Sequence, residues 1–136
     1  MESLKNYIIN NDPNHNEIFV IVKPGFLKLS DKIIKRIQED DFKLVKSRTK
    51  FLTLNEAKEL YKIHKDEDWY EPLCKYMSND LSLGLLFRYK NNNPFEPMSS
   101  IKDEIRKEWG ESDMRNVMHS SDSYENMLNE QCIYFG

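Results

Sequence analysis

An unbroken apolar run, Ile18 to Val22, followed at once by Lys23, Pro24 and Gly25, sets the strongest limit on how this chain can fold. A strand with one wet face alternates apolar and polar side chains, whereas a continuous run of β-branched and aromatic residues marks a strand buried on both faces. The chain therefore needs a sheet with this strand at its centre. Its 136 residues, 39% of them apolar, suffice for one substantial core but make a second folded domain unnecessary.

The elements expected around that strand follow from local patterns. Residues 1 to 17, rich in Asn and interrupted by Pro13, read as an N-terminal arm ahead of a single domain over 18–136. Ser30 is placed to cap a helix in which Ile33, Ile34 and Ile37 form the apolar stripe. After a turn at Asp40 and Asp41, Phe42 to Leu52 reads as a strand whose interspersed basic residues suit a sheet edge. Thr53 and Glu56 have capping-box spacing, so a second helix begins there, and Glu71 to Met77 is a further helical segment that tolerates Pro72 in its first turn. Leu81 to Phe87 supplies the third strand. The Asn- and Pro-rich stretch Asn91 to Ser100 reads as a loop, and Ile101 to Trp109 as a short charged helix ended by Gly110. Ser123 caps a last helix through Glu130, and Cys132 to Phe135 is read as the fourth strand. The whole is an α+β, ferredoxin-like βαββαβ sandwich: a four-stranded antiparallel sheet with helical cover on one face.

Composition excludes several classes of function. The 20 basic and 23 acidic residues are spread along the chain, without the basic block that duplex nucleic acid requires. No run of about 18 apolar residues suggests a membrane span, and the opening MESLKNYIINNDPNHNE lacks the apolar core of a signal peptide. Cys74 and Cys132 stand apart from each other, which excludes CxxC redox or zinc chemistry and suits reduced thiols in the cytoplasm.

Chemistry concentrates in NVMHSSDS, Asn116 to Ser123. His119 lies there between a loop and a helix, among small polar residues that leave an imidazole accessible. Taken locally, it is equally well a loop histidine that satisfies backbone groups. Glu130 lies one helix away and can fix the tautomer of an imidazole, or it is a solvated helix residue. Lys23 leaves an apolar strand at the sheet edge, where phosphate or carboxylate ligands sit. Tyr61, Trp69 and Tyr70 form an aromatic group suited either to stacking a base or to core packing. Asp66, Glu67 and Asp68 lack His or Cys at ligand spacing and read as a solvated loop. Neither glycine-rich phosphate device is present.

NVMHSSDS resembles the active-site segment of nucleoside diphosphate kinases, whose usual form is N, two apolar residues, then HGSDS. The resemblance runs from about Phe19 to Phe135. VKPG resembles that family's KPD strand end, IIKRIQEDDFKLV its first helix and second strand, and LCKYMSND the segment before its third strand. It implies that His119 is a nucleophile that becomes a phosphohistidine, supported by Glu130 and Ser121. Lys23, Tyr61, Arg106 and Asn116 match residues that bind phosphate or ribose, and Trp69 falls where an aromatic residue stacks on the base. The implied reaction is ping-pong transfer between nucleoside tri- and diphosphates, with Mg²⁺ held mainly by the nucleotide phosphates and no metal ligands on the chain.

Departures from the pattern carry their own implications. KPD is KPG here, and the Gly after the histidine is Ser120. The segment before Arg106 is shorter, and YKNNNPFEPMSS offers no equivalent of a second phosphate-binding Arg or a Thr. That implies a dimer in place of a hexamer. It also opens a second reading, a weak or inactive module that keeps the fold for nucleotide binding or protein assembly.

Overall fold

A computed structural model describes residues 15–136, so most of the N-terminal arm lies outside the described residues. The central strand is β1, Glu17–Val22, and all six of its residues are buried. A 3-10 turn, Leu27–Leu29, leads into α1, Ser30–Gln38. Strand β2 spans Phe42–Phe51, α2 Leu54–Leu60, α3 Tyr70–Met77 and β3 Leu81–Tyr89. The chain closes with α4, Phe95–Trp109, β4, Met118–Ser120, and α5, Tyr124–Phe135.

The strands form one antiparallel sheet in the order β2-β3-β1-β4. This is the expected fold class, with β1 inside and the basic β2 at an edge. Because successive side chains of a strand point to opposite faces, β1 feeds two cores. Phe19 and Ile21 pack with Leu60, Leu73, Met127 and Tyr134 on the side covered by α2, α3 and α5. Ile18, Val20 and Val22 pack with Ile33, Ile37, Ile101 and Ile105 under α1 and α4. The expected cover on one face is therefore corrected to cover on both. Each fully buried side chain of β1 contributes roughly 2 kcal/mol of transfer free energy, which a half-wet strand would forfeit.

Three local expectations are also corrected. Ser30 is the first residue of α1 and not its cap: Leu29 occupies the cap position, and Ser30 Oγ donates to Leu27 O at 2.6 Å. The second half of the expected loop, from Phe95, is helical. Pro94 is its N-cap residue and Pro97 lies in the first turn, where an N–H has no intrahelical acceptor to lose. Met98, Ile101 and Ile105 then give one buried stripe along a single 15-residue helix.

The last correction concerns the fourth strand. Cys132–Phe135 continues α5, and the fourth strand is Met118–Ser120, carrying His119 itself. A four-residue apolar run is as compatible with a buried helix end as with a strand. Tertiary contacts decide for helix: the Tyr134 ring covers Gly84, where any Cβ would come within 2.7 Å of it, and its hydroxyl bonds to Ser82 at 2.6 Å. Arg48 and Lys50 of the edge strand donate to the carbonyls of Tyr134 and Ile133, capping the last turn. The capping box of α2 forms as read, with Thr53 and Glu56 satisfying each other's backbone N–H, and Ser123 caps α5 through the N–H of Asn126.

Candidate functional site

Strand β4 places His119 opposite Ile21 of β1. Its ring therefore lies on the face covered by α2, α3 and α5, while Met118 joins the core on the other face. The entry to β4 is tight. Val117 has φ 80°, and Met118 N–H donates to Asn116 O at 3.0 Å, a γ-turn centred on a β-branched residue, which is costly backbone. Val117 O in turn accepts from Lys23 N–H at 2.8 Å. The strained turn is thus tied to the end of β1 and aims the next residues into a cleft.

That cleft holds about 450 Å³ and is lined by Lys23, Tyr61, Trp69, Arg106, Asn116 and His119, with His64, Leu73, Asp113 and Met114. Six of the eight sequence-assigned residues thus line one cleft. Glu130 stands behind it: buried on α5, its carboxylate accepts the His119 Nε2–H. Among the described residues Nδ1 has no partner. An imidazole whose Nε2 bears the proton presents an unprotonated Nδ1, the form able to attack an electrophile.

Ser121 is placed differently. Its N–H and Oγ both contact Phe19 O, at 2.9 and 3.2 Å, so it pins the end of β4 to β1 and makes no hydrogen bond to His119 or Glu130. Tyr61, at the C-cap of α2, meets the imidazole edge-on at 5.6 Å between centroids. Burial raises its phenol well above the usual range. Its hydroxyl and Asn116 Oδ1 are buried without a partner, whereas Asn116 Nδ2 donates to Asp113 O at 2.8 Å.

The cations are poorly solvated. Lys23 is 4% exposed, its Nζ reaches Met114 O at 3.4 Å, and burial, aided by the charges of Arg106 and Lys102, pushes it down to about 7. Arg106 donates through Nε and an Nη to Met118 O, at 3.2 and 2.8 Å, and burial lowers it too. Trp69 is 44% exposed at the mouth and tilts against His64, centroids 4.8 Å apart. Tyr70, its neighbour in sequence, is buried core.

Some contributors were not singled out from sequence. Leu73 lies one turn along α3 from Trp69, a spacing that pairs them on one wall. Arg115 carried no signal: its guanidinium lies 5.3 Å from the Phe26 ring centroid and 5.5 Å from that of Tyr76, against Gly25. Gly25 has φ 90°, and a Cβ there would come within 2.8 Å of Arg115. Glycine at this position leaves room for the Arg115 guanidinium against the end of β1.

The nucleoside diphosphate kinase family model matches residues 16–136. The nucleoside diphosphate kinase of Persephonella marina is 30% identical over 126 residues, spanning 85% of this chain and 90% of that one. That of Kosmotoga olearia is 27% identical over 127 residues, covering 86% of each. Among solved structures, the Aquifex aeolicus nucleoside diphosphate kinase superposes with a TM-score of 0.79 at 22% identity, over 87% of this chain and 93% of its own. The Encephalitozoon cuniculi enzyme gives 0.77 at 21%, over 89% of each.

Proposed function

The chain belongs to the nucleoside diphosphate kinase family, and we propose that it carries out that family's phosphoryl transfer through Nδ1 of His119. The observation that carries this reading is the His119–Glu130 pair on the wall of a cleft lined by cations. The Nδ1 lone pair attacks the γ-phosphorus of a nucleoside triphosphate. An N–P bond forms as the P–O bond to the β-phosphate breaks, and the diphosphate leaves with that electron pair. A second diphosphate reverses the step with its terminal oxygen, leaving His119 free. Glu130, accepting from Nε2–H, stabilises the positive charge that develops on the ring.

Roles for the remaining residues follow from their chemistry. Lys23 and Arg106 meet the charge on the phosphoryl oxygens, and their desolvation makes each contact count for more than in water. Asn116 and Tyr61 offer a carboxamide and a hydroxyl to phosphate or ribose. Trp69 and Leu73 form the shelf for the base, whose stacking without reading of its edges favours broad base tolerance. Ser121 acts on the ring indirectly, by fixing the end of β4.

Mg²⁺ belongs to the nucleotide in this reading. The cleft offers Lys23, Arg106, Asn116, Tyr61 and a single carboxylate, Asp113, a set that fits phosphate oxygens better than a metal ion. When bound, the ion supplies charge neutralisation on the phosphates. No described helix is long and apolar enough to cross a membrane, and both cysteines are free thiols. We assign the protein to the cytoplasm, as a dimer.

The test is phosphoryl transfer itself. Incubation with γ-labelled ATP and Mg²⁺ is expected to give an acid-labile, alkali-stable label that is absent in His119→Ala and chases onto GDP. A folded wild type that takes up no label would leave only a nucleotide-binding or assembly module.

A further inference from the structure

The correction that turns residues 95 to 109 into one helix has a consequence for Lys102. It stands four residues before Arg106 on α4, one turn away on the same stripe. Both side chains are half-buried. Arg106 spends its guanidinium on Met118 O at the start of β4. Lys102, one turn towards the helix N-terminus, makes no hydrogen bond and no ion pair among the described residues.

An ammonium partly removed from water and left without a partner is unfavourable unless an anion arrives. The surroundings make the imbalance worse. Lys102 is near enough to Lys23 for its charge to help push that lysine down, and Arg106 acts on Lys102 in the same sense. Asp103, Asp122 and Glu130 oppose this from a distance, but none is within ion-pair reach and Glu130 is already bonded to His119. Lys23, Lys102 and Arg106 are thus three desolvated cations from two elements, β1's end and α4, close enough for their charges to act on one another, and two of them, Lys23 and Arg106, line the cleft with His119.

We propose that Lys102 is a phosphate-binding residue of this site, a third cation that contacts the oxygens of the nucleotide's phosphate chain. The proposal rests on the nucleotide-binding reading of the cleft, and it assigns to α4 two phosphate contacts, Arg106 and Lys102. A lone ammonium serves a phosphate chain as a movable point charge, in contrast to the fixed fork of Arg106. It can therefore follow whichever phosphate carries charge as the terminal phosphoryl moves onto His119.

The experiment compares wild type, Lys102→Gln and Lys102→Arg for ADP and adenosine binding by calorimetry, alongside thermal unfolding. Loss of one charge-assisted contact is expected to weaken ADP binding about tenfold in Lys102→Gln, leave adenosine binding unchanged and be largely restored in Lys102→Arg. The melting temperature of unliganded Lys102→Gln is expected to equal or exceed that of wild type, because an unpaired charge has been removed; a merely structural lysine would lower it. ADP affinity equal to wild type in Lys102→Gln, an equal loss for adenosine, or a wild type that binds no ADP would each overturn the assignment. The labelling of His119 separates this from the parent reading: Lys102-dependent ADP binding without label would sink the kinase and keep the phosphate contact, whereas label with no effect of Lys102→Gln would do the reverse.

Discussion

Lys23→Met offers a direct measure of how the site stores positive charge. Lys23 is held at about 7 against a usual value of 10.5, chiefly by burial, which corresponds to about 5 kcal/mol for keeping it charged in the unliganded fold. Below pH 7 both folded and unfolded chains carry this proton and the cost is fully present. Between about 7 and 10.5 the unfolded chain binds a proton that the folded chain lacks, so stability rises with pH across that window. Methionine has a similar shape and no charge, and forfeits only the hydrogen bond to Met114 O, worth about 1 kcal/mol. At pH 6 the variant is therefore expected to be more stable by about 4 kcal/mol, or roughly 14 °C in Tm for a chain of this size.

Urea unfolding at pH 6, 7, 8, 9 and 10 checks both sign and window: the advantage should shrink steadily above pH 7 and vanish near pH 10. Activity should fall at least a hundredfold at every pH. Calorimetry of ADP binding at pH 8 in two buffers of different ionisation enthalpy should show proton uptake by wild type, since phosphate restores the lysine charge, and a smaller uptake by Lys23→Met. A variant no more stable than wild type at pH 6, or a stability gap that does not change from pH 6 to pH 10, would refute the reasoning.

Other outcomes follow from the same geometry. Glu130→Gln retains shape but weakens the hold on the Nε2 proton; labelling of His119 should slow by about 10- to 100-fold with ATP affinity little changed, as rapid-quench and equilibrium binding would show. Trp69→Ala should cost ADP binding about 1–3 kcal/mol, with Trp69→Phe close to wild type, and intrinsic fluorescence of wild type should change on ADP addition. Thr53→Ala breaks the capping box of α2, far from the chemistry, and should lower stability by about 1 kcal/mol in urea unfolding while kcat stays unaltered.

The segments that could be read locally were those whose signal is local. Thr53 and Glu56 announce a capping box because both partners lie within one turn, and Ile18 to Val22 reads as a central strand because its burial on both faces leaves no polar alternation. Cys132–Phe135 could not be read that way. Its helical state depends on Gly84, Ser82 and two edge-strand cations 83 and 86 residues away along the chain. Phe95–Ser100 was hidden by two prolines that look like breakers anywhere except at a helix start. The site showed the same division: the motif around His119 marked the candidate nucleophile, while Leu73 came to the cleft and Arg115 to the end of β1 only through packing, and Ser121 bonds to β1.

By itself, the sequence determined the fold class, the position of the central strand and the family resemblance, because apolar pattern and residue type are written position by position. Tertiary structure alone decided which segment completes the sheet, that helices cover both faces, and how far each cation is removed from water. Those depend on distances between residues remote in the chain. A lysine's sequence context cannot say that another cation lines the same cleft, and the proximity of Lys23 and Arg106 is what the proposed phosphate contacts rest on.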